Sequence, residues 1–138
     1  MKNSTRFSYS FVFAIIIVCI YGCNTIINGD LTNVKPTKLF TVEQLILESK
    51  SQLNKETEKD IVLEVNGIVH EVNYLNDRYT IFLKGKITDE TYVICDMNTN
   101  QINTTKAIKS GDSIVIKGLF KGVLKDVIML NCVVVNTK

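Results

Sequence analysis

Residues 111–118 read Gly-Asp-Ser-Ile-Val-Ile-Lys-Gly, a turn followed by a strand. Gly111 and Asp112 have the composition of a tight turn. Ile114 and Ile116 then recur at every second position, the spacing that directs side chains to one face of a strand. The segment therefore predicts a strand over residues 113–120. Residues 119–125, which overlap the end of this strand, are predicted to turn the chain.

On either side of this segment, apolar residues again recur at every second position. Four further strands are predicted, at residues 61–72, 79–83, 91–97 and 126–136. Gly67 interrupts the first of them and predicts a bulge or a sharp bend. Residues 73–78 have turn composition, and residues 104–109 predict a short helix. The predicted inward faces are Val93, Cys95 and Met97 in the third strand, and Ile128, Leu130, Cys132 and Val134 in the fifth.

One helix is predicted ahead of the strands, from Thr41 to about Asn54. Thr41 and Gln44 have the spacing of a capping box, in which each side chain accepts from the backbone of the other. Phe40 before the cap and Leu45 after it have the spacing of a hydrophobic staple. The helix would turn an apolar stripe toward the strands.

An open sheet of five such strands would leave two unpaired edges. Closing the sheet into a barrel removes the edges and gives the inward side chains one common core. The bend at Gly67 suits closure, because the first strand must serve both sides of a small barrel. The sequence therefore predicts a mainly β fold, a five-stranded barrel preceded by one N-terminal helix.

The first 22 residues have the pattern of an export signal. Lys2 and Arg6 precede an unbroken apolar run at residues 11–20, which as a helix would span roughly 15 Å, half of a hydrocarbon core. Residues 20–23, Ile-Tyr-Gly-Cys, resemble the lipobox of bacterial lipoproteins, which implies lipidation of Cys23 and cleavage before it. A plain signal peptide and an uncleaved membrane anchor are the alternatives.

These features divide the precursor into three parts. Residues 1–22 are predicted as a lipoprotein signal peptide, residues 23–39 as a lipidated tether, and residues 40–138 as the barrel domain with its helix. By resemblance to lipoprotein sorting rules, Asn24 after the cysteine implies a place in the cell envelope, at the outer membrane and facing the periplasm. The membrane itself is then a partner, through Cys23.

The charge of the mature chain is balanced. Removing residues 1–22 takes away Lys2 and Arg6 and leaves fourteen basic residues against fourteen acidic ones. Proteins that bind nucleic acid normally carry a basic face that displaces counterions from phosphates. The balance therefore argues against nucleic acid as a partner and favours an envelope protein or a glycan.

Four segments together resemble the tRNA-anti-like family of OB-fold proteins. They are residues 65–69, 93–95, 111–118 and 126–132, and the resemblance extends over residues 40–135. It implies an OB-fold barrel, whose ligands bind on the outer face of the second and third strands between two flanking loops. Many members of the family are exported proteins or lipoproteins. The fold by itself does not assign a ligand.

The predicted ligand face carries aromatic and basic side chains. Phe82 and Tyr92 can point outward on the second and third strands, with Tyr74 in the first loop, where they could stack on bases or sugars. Lys117, Lys121 and Lys125 lie on or beside the loop joining the fourth and fifth strands, where they could bind an anionic ligand. Scattered surface aromatics and a solvated lysine rim are the alternative interpretations.

The remaining reactive side chains are few. Cys95 and Cys132 fall on inward faces of neighbouring strands, and either a disulfide or two buried free thiols would fit there. His70 is the only histidine, and no ligand spacing accompanies it that would predict a metal site. Neither a cofactor motif nor a nucleophile–base pair is recognisable, so the sequence predicts no catalytic residue and no enzyme.

The resulting hypothesis is a lipid-anchored, non-enzymatic OB-fold module that binds a ligand or protein partner in the bacterial envelope. The first alternative binds single-stranded nucleic acid or an anionic oligosaccharide, through the face of the second and third strands and the loop between the fourth and fifth. The second alternative is a structural spacer in the envelope.

Overall fold

The computed structural model describes residues 29–51, 61–85 and 90–137. The predicted signal peptide and the lipidation site at Cys23 lie outside the described residues. Within the described ranges, no helix has both the length and the apolar character needed to cross a membrane.

The described residues fold into six strands and two short helices. Five strands form the predicted barrel, so the mainly β fold and the preceding helix are confirmed. In chain order the elements are β1 (Lys38–Thr41), α1 (Val42–Ser51), β2 (Ile61–Leu75), β3 (Arg78–Lys84), β4 (Val93–Met97), a 3-10 turn (Thr99–Gln101), α2 (Ile102–Lys106), β5 (Ser113–Val123) and β6 (Val127–Thr137).

Strand β2 closes the barrel by pairing with two strands at once. The strands are arranged in the order β1-β2-β3-β4-β6-β5, and a further pairing joins β2 to β5. Residues 61–68 of β2 pair antiparallel with β5, and residues 68–75 pair antiparallel with β3. Gly67 lies where these two halves meet and packs against α1, where an added Cβ would stand 2.5 Å from Val42 Cγ2. The register of β2 shifts further along the strand, between Val69 and Glu71.

Two strands extend three residues beyond their predicted ends. The hairpin between β2 and β3 turns on Asn76 and Asp77, whose φ angles of 51° and 59° suit a tight two-residue turn. β2 therefore continues to Leu75, through residues that were predicted as a turn. β5 also continues to Val123 instead of ending at Phe120, so the loop to β6 is shorter than predicted.

The start of α1 confirms the predicted capping box. The backbone N–H of Gln44 donates to Thr41 Oγ1 over 3.3 Å, and the N–H of Thr41 donates to Gln44 Oε1 over 2.9 Å. The helix buries Val42, Leu45 and Ile46 against the barrel and is described as far as Ser51. The four-residue strand β1, which precedes the helix and pairs parallel with β2, was not predicted.

The side chains of β6 that face the core differ in part from those predicted. Val127 and Met129 are buried in the core, whereas Ile128 and Leu130, which were predicted to point inward, are only half-buried. Asn131 adopts a left-handed φ of 55°, and the register of β6 against its neighbours shifts there. The shift changes the phase of the alternation, so Cys132 faces the core as predicted.

Cys95 and Cys132 are free thiols in this core. Both are fully buried on the neighbouring parallel strands β4 and β6. Their backbones are offset, because Cys95 is level with Met129 and Cys132 with Met97. Of the two sequence-based alternatives, the structure contains the pair of buried thiols.

Burial of the Cys132 thiol predicts a pH-dependent stability. Burial, followed by the contact with Cys95, raises the pKa of Cys132 well above its ordinary value. The folded chain keeps the proton where the unfolded chain loses it, so stability is complete below the ordinary thiol pKa and decreases as the pH rises above about 8.5. Urea unfolding at pH 7 and pH 9.5 measures this, with Cys132→Ala as the variant in which the decrease shrinks. Rapid alkylation of both thiols in the native protein at pH 8 would contradict it.

Candidate ligand-binding face

The outer wall of β3 and β4 carries a row of half-buried side chains. Ile81 and Leu83 point into the barrel, so the alternate residue Phe82 points outward. Phe82 is level with Ile94 on β4, which is in turn level with Ile128 on β6. The row runs across three strands and forms an apolar strip on the outside of the barrel.

Three aromatic rings meet at this strip. The ring centroids of Phe82 and Tyr92 are 6.3 Å apart in an edge-on arrangement. Tyr92 also stacks on His70, with centroids 5.0 Å apart, and Tyr92 Oη lies 3.5 Å from His70 Nε2. We call His70, Phe82 and Tyr92 the aromatic cluster. The sequence identified two of its members as candidate face residues and missed the third.

His70 reaches the cluster because of a bulge in β2. The register between β2 and β3 shifts between Val69 and Glu71, which leaves His70 as the extra residue. Ser110 Oγ donates to the His70 carbonyl over 2.8 Å, and Gly111 N–H donates to the Val69 carbonyl over the same distance. The inward position of Val69 was a signal that His70 points outward.

The β5–β6 loop, residues 124–126, is tied to the backbone of Tyr92. The Tyr92 N–H donates to Asp126 Oδ1 over 2.8 Å, and the Val127 N–H donates to the Tyr92 carbonyl over 3.0 Å. Leu124 in this loop is 86% exposed. The loop therefore flanks the aromatic cluster and adds an exposed apolar side chain to its edge.

Tyr74 lies apart from the aromatic cluster, at the β2–β3 hairpin. Its ring centroid is 4.5 Å from that of Tyr79, and its hydroxyl donates to Asp77 Oδ1 over 2.9 Å, which raises the pKa of Tyr74. Among the residues that the structure describes, no ring contact joins Tyr74 to the cluster. Tyr74 occupies the other flank of the face.

Charges on and around this face are mixed. Arg78 forms a 2.8 Å salt bridge with Asp96 across β3 and β4. Glu71, level with Phe82, and Asp126 add negative charge, and Lys125 in the β5–β6 loop adds positive charge. No single sign dominates, so the face lacks the uniformly positive field that attracts polyanions.

The structure corrects the predicted position of Lys117. It lies in the middle of β5, where it is 6% exposed, and not at the rim of a loop. Its Nζ donates to the carbonyls of Thr32 and Val34, over 2.8 and 2.9 Å. Lys117 is therefore not available to a ligand, and of the three predicted lysines only Lys121 and Lys125 are exposed.

The carbonyls that bind Lys117 belong to a segment packed on the outer wall of the barrel. Residues 29–37, here called the N-terminal belt, cover parts of β2, β5 and β6. Leu31 of the belt is 2% exposed and packs against Leu119 and Val133. The predicted tether at residues 23–39 thus includes a stretch that is packed against the domain.

Two further features of the described residues bear on chemistry. They contain no group of three or more His, Cys, Asp or Glu side chains placed to hold a metal ion. A cleft of about 260 Å³ opens at the start of α1, between Thr41, Lys84 and Ser113. Every buried side-chain nitrogen and oxygen in the described chain has a hydrogen-bond partner, so the cleft contains no buried polar group that lacks one.

Comparisons with known proteins identify the fold. The model of the tRNA_anti-like family matches residues 1–134. A search of curated proteins finds no match. A solved lipoprotein of Klebsiella pneumoniae, named for a supposed nucleic-acid-binding role, has a TM-score of 0.59 at 13% identity over 71% of this chain and 91% of that one. At this identity the likeness shows a common fold.

Two other solved structures are more distant. The Stn1–Ten1 complex of S. pombe has a TM-score of 0.43 at 6% identity, over 54% of this chain and 58% of that one. The asparaginyl-tRNA synthetase of Pyrococcus horikoshii has a TM-score of 0.43 at 12% identity, over 58% of this chain and 21% of that one.

The position of Lys117 predicts a structural role for its ammonium group. Lys117→Ala removes two charged hydrogen bonds to the belt and is expected to lower the free energy of unfolding by about 2 kcal/mol. Lys125→Ala is the control, because an exposed loop lysine contributes within roughly 0.5 kcal/mol. Chemical denaturation of both variants measures the difference. Equal stabilities would contradict the structural role.

Proposed function

The chain belongs to the tRNA_anti-like family of OB-fold proteins, and we propose that it is a lipid-anchored, non-enzymatic binding module of the bacterial cell envelope. The observation that carries the proposal is the aromatic cluster on the outer wall of β3 and β4. OB folds bind their ligands on this wall, between the loops that follow the first and fourth barrel strands. Here those loops are the β2–β3 hairpin and the β5–β6 loop.

The aromatic cluster suits a ligand with flat or apolar surfaces. Tyr92 is held from two sides, by Asp126 and Val127 through its backbone and by His70 through its ring. A ring fixed in this way loses little conformational freedom when a ligand stacks on it. Ile94 and Ile128 extend the contact area beside Phe82, so a ligand can bury apolar surface along the strip.

The charges near the cluster favour a ligand with little net charge. The Arg78–Asp96 pair is internally neutral, and Glu71 lies beside Phe82. Because Lys117 is buried under the belt, fewer of the predicted lysines are exposed to attract a polyanion. We therefore favour a protein or glycan partner in the envelope, with sugar rings or side chains packed on the aromatic cluster.

The anchor is supported by the sequence ahead of the barrel. Lys2, Arg6 and the apolar run at residues 11–20 precede the lipobox-like residues 20–23, and the family match begins at residue 1. The Klebsiella protein of the same fold is also named a lipoprotein. A multiply acylated Cys23 would hold the domain at a membrane, which we place at the periplasmic side of the outer membrane.

The second candidate function is binding of single-stranded nucleic acid or an anionic oligosaccharide. The observation in its favour is that Phe82 and Tyr92 lie where OB folds stack bases, with the exposed Lys121 and Lys125 near the flanking loop. The name of the Klebsiella structure points the same way. Anisotropy of a labelled oligothymidine at 50 and 200 mM salt tests it, because phosphate binding weakens steeply as salt rises.

Crosslinking in living cells tests the proposed face. A photoreactive phenylalanine analogue at position 82 or 92 is expected to capture a protein or glycan partner in the envelope. The control is position 47 on α1, where the native leucine is 69% exposed and lies outside the face. For a partner so identified, Phe82→Ala or Tyr92→Ala should weaken binding roughly tenfold, because a stacking contact is worth about 1–3 kcal/mol.

Two outcomes of the crosslinking would contradict the proposal. Equal capture from positions 47, 82 and 92 would show that the aromatic cluster has no special role. No capture at any of the three positions would favour the structural spacer. Circular dichroism of each alanine variant checks that the barrel remains folded.

Metabolic labelling tests the anchor. The precursor is expected to incorporate radioactive palmitate, and Cys23→Ala is expected to abolish the incorporation and to leave the protein in the soluble fraction. Cys132→Ala is the control, because that thiol is buried in the barrel. Incorporation of label by the Cys23→Ala protein would refute lipidation at this residue.

A further inference from the structure

The N-terminal belt is packed as a structural part of the barrel. Leu31 lies in a small apolar cluster with Leu119 and Val133, on the outer side of β5 and β6. The Thr37 N–H donates to the Val62 carbonyl over 2.8 Å, directly before β1 joins the edge of β2. Side-chain packing and backbone hydrogen bonds therefore both hold the belt in place.

Lys117 fastens the middle of the belt. Its buried ammonium donates to two belt carbonyls, those of Thr32 and Val34, and its aliphatic stem crosses the outer wall beneath the belt. Releasing the belt would exchange these two charge-assisted hydrogen bonds for hydrogen bonds to water. The exchange is unfavourable, because an intramolecular hydrogen bond from a charged donor is more stabilising than its replacement by water.

Asn131 fixes the beginning of the belt. Its Nδ2 donates to the Gly29 carbonyl over 2.6 Å, and its Oδ1 accepts from Asn98 Nδ2. Asn98 follows β4 and caps the 3-10 turn that leads into α2. The first described residue of the chain is thus placed at one corner of the barrel, where β6 passes the end of β4.

We infer that the belt holds the barrel at the surface of the lipid bilayer, with the corner at Asn131 and Asn98 turned toward the headgroups. The inference rests on the proposed lipidation of Cys23. Six residue steps separate Cys23 from Gly29, a reach of at most roughly 20 Å. A free tether ending at Phe40 would instead reach roughly 55 Å.

This placement is compatible with the proposed ligand face. The hydrogen bonds that hold the belt come from Lys117, Asn131 and Thr37, none of which belongs to the aromatic cluster. The same corner leads into α2, whose Lys106 is exposed and can approach anionic headgroups. The bilayer and the ligand therefore use different parts of the outer wall.

Energy transfer to the bilayer tests the inference on the full lipidated protein. A donor dye is attached at Asn100→Cys, an exposed position at this corner, and the acceptor dye is on headgroups in vesicles of phosphatidylethanolamine and phosphatidylglycerol. The belt is released by Leu31→Asp with Lys117→Met. The matched control carries the same two changes at exposed positions, Leu47→Asp with Lys125→Met. A third variant inserts ten Gly and Ser residues between Asn28 and Gly29.

We expect high transfer in the native protein and in the matched control. Belt release and the insertion should each lower the transfer roughly twofold or more, since each lengthens the reach of the tether by some tens of ångströms. The insertion leaves the belt intact, so a result from it does not depend on the folding of the released variant. Transfer that is unchanged by both alterations would overturn the inference.

The proposed anchor has its own measurement in the same preparation. Flotation of the protein with the vesicles reports lipidation, and its absence overturns the anchor together with the inference. Protein that floats but gives the same low transfer in all four forms overturns the placement of the barrel and leaves the anchor standing. Hydrogen exchange of the Thr37 amide in soluble Cys23→Ala protein reports the belt alone, and rapid exchange there would also overturn the inference.

Discussion

Closure of the barrel depends on one strand that pairs on both sides of a bend. The first half of β2 pairs with β5 and the second half with β3, so the sheet returns to its own first strand. At Gly67, where the two halves meet, α1 packs so closely that no room is left for a side chain. Three residues further on, the bulge at His70 directs an aromatic ring to the outer wall. The same irregular stretch therefore closes the core and positions part of the candidate site.

The outer wall of the barrel is divided into a covered part and an open part. On β5 and β6, apolar side chains such as Leu119 and Val133 lie under the N-terminal belt, and the buried ammonium of Lys117 donates to belt carbonyls. Phe82 and Ile94 lie on the wall formed by β3 and β4. The described hydrogen bonds of the belt go to other parts of the barrel. Apolar surface left without such a cover on an otherwise well-packed domain is typical of a binding surface. This contrast, more than the family membership, supports the choice of the face.

The sequence predicted what depends on local periodicity and failed where the backbone breaks the period. The five strands, the capping box of Thr41 and Gln44 and the inward face of β4 follow from spacing alone, and the structure confirms them. The face of Ile128 and Leu130 could not be predicted, because the left-handed conformation of Asn131 shifts the alternation and a single residue gives no clear sign of it. Lys117 was placed on or beside the loop because it stands near the predicted end of its strand, and only a distant segment provides its acceptors. The pairing of β1 with β2 is also non-local, and four residues are too few to show a period.

The two buried thiols become protected only late in the folding of the chain. Cys95 lies on β4 and Cys132 on β6, the last strand to be synthesised, and the core hides both sulfurs only once these strands have paired. Before that moment both thiols are accessible to any oxidant in the compartment where the chain folds. Rapid folding therefore protects this protein from cross-linking with other chains, and a slow-folding variant would be exposed to oxidative damage without any change in its final stability.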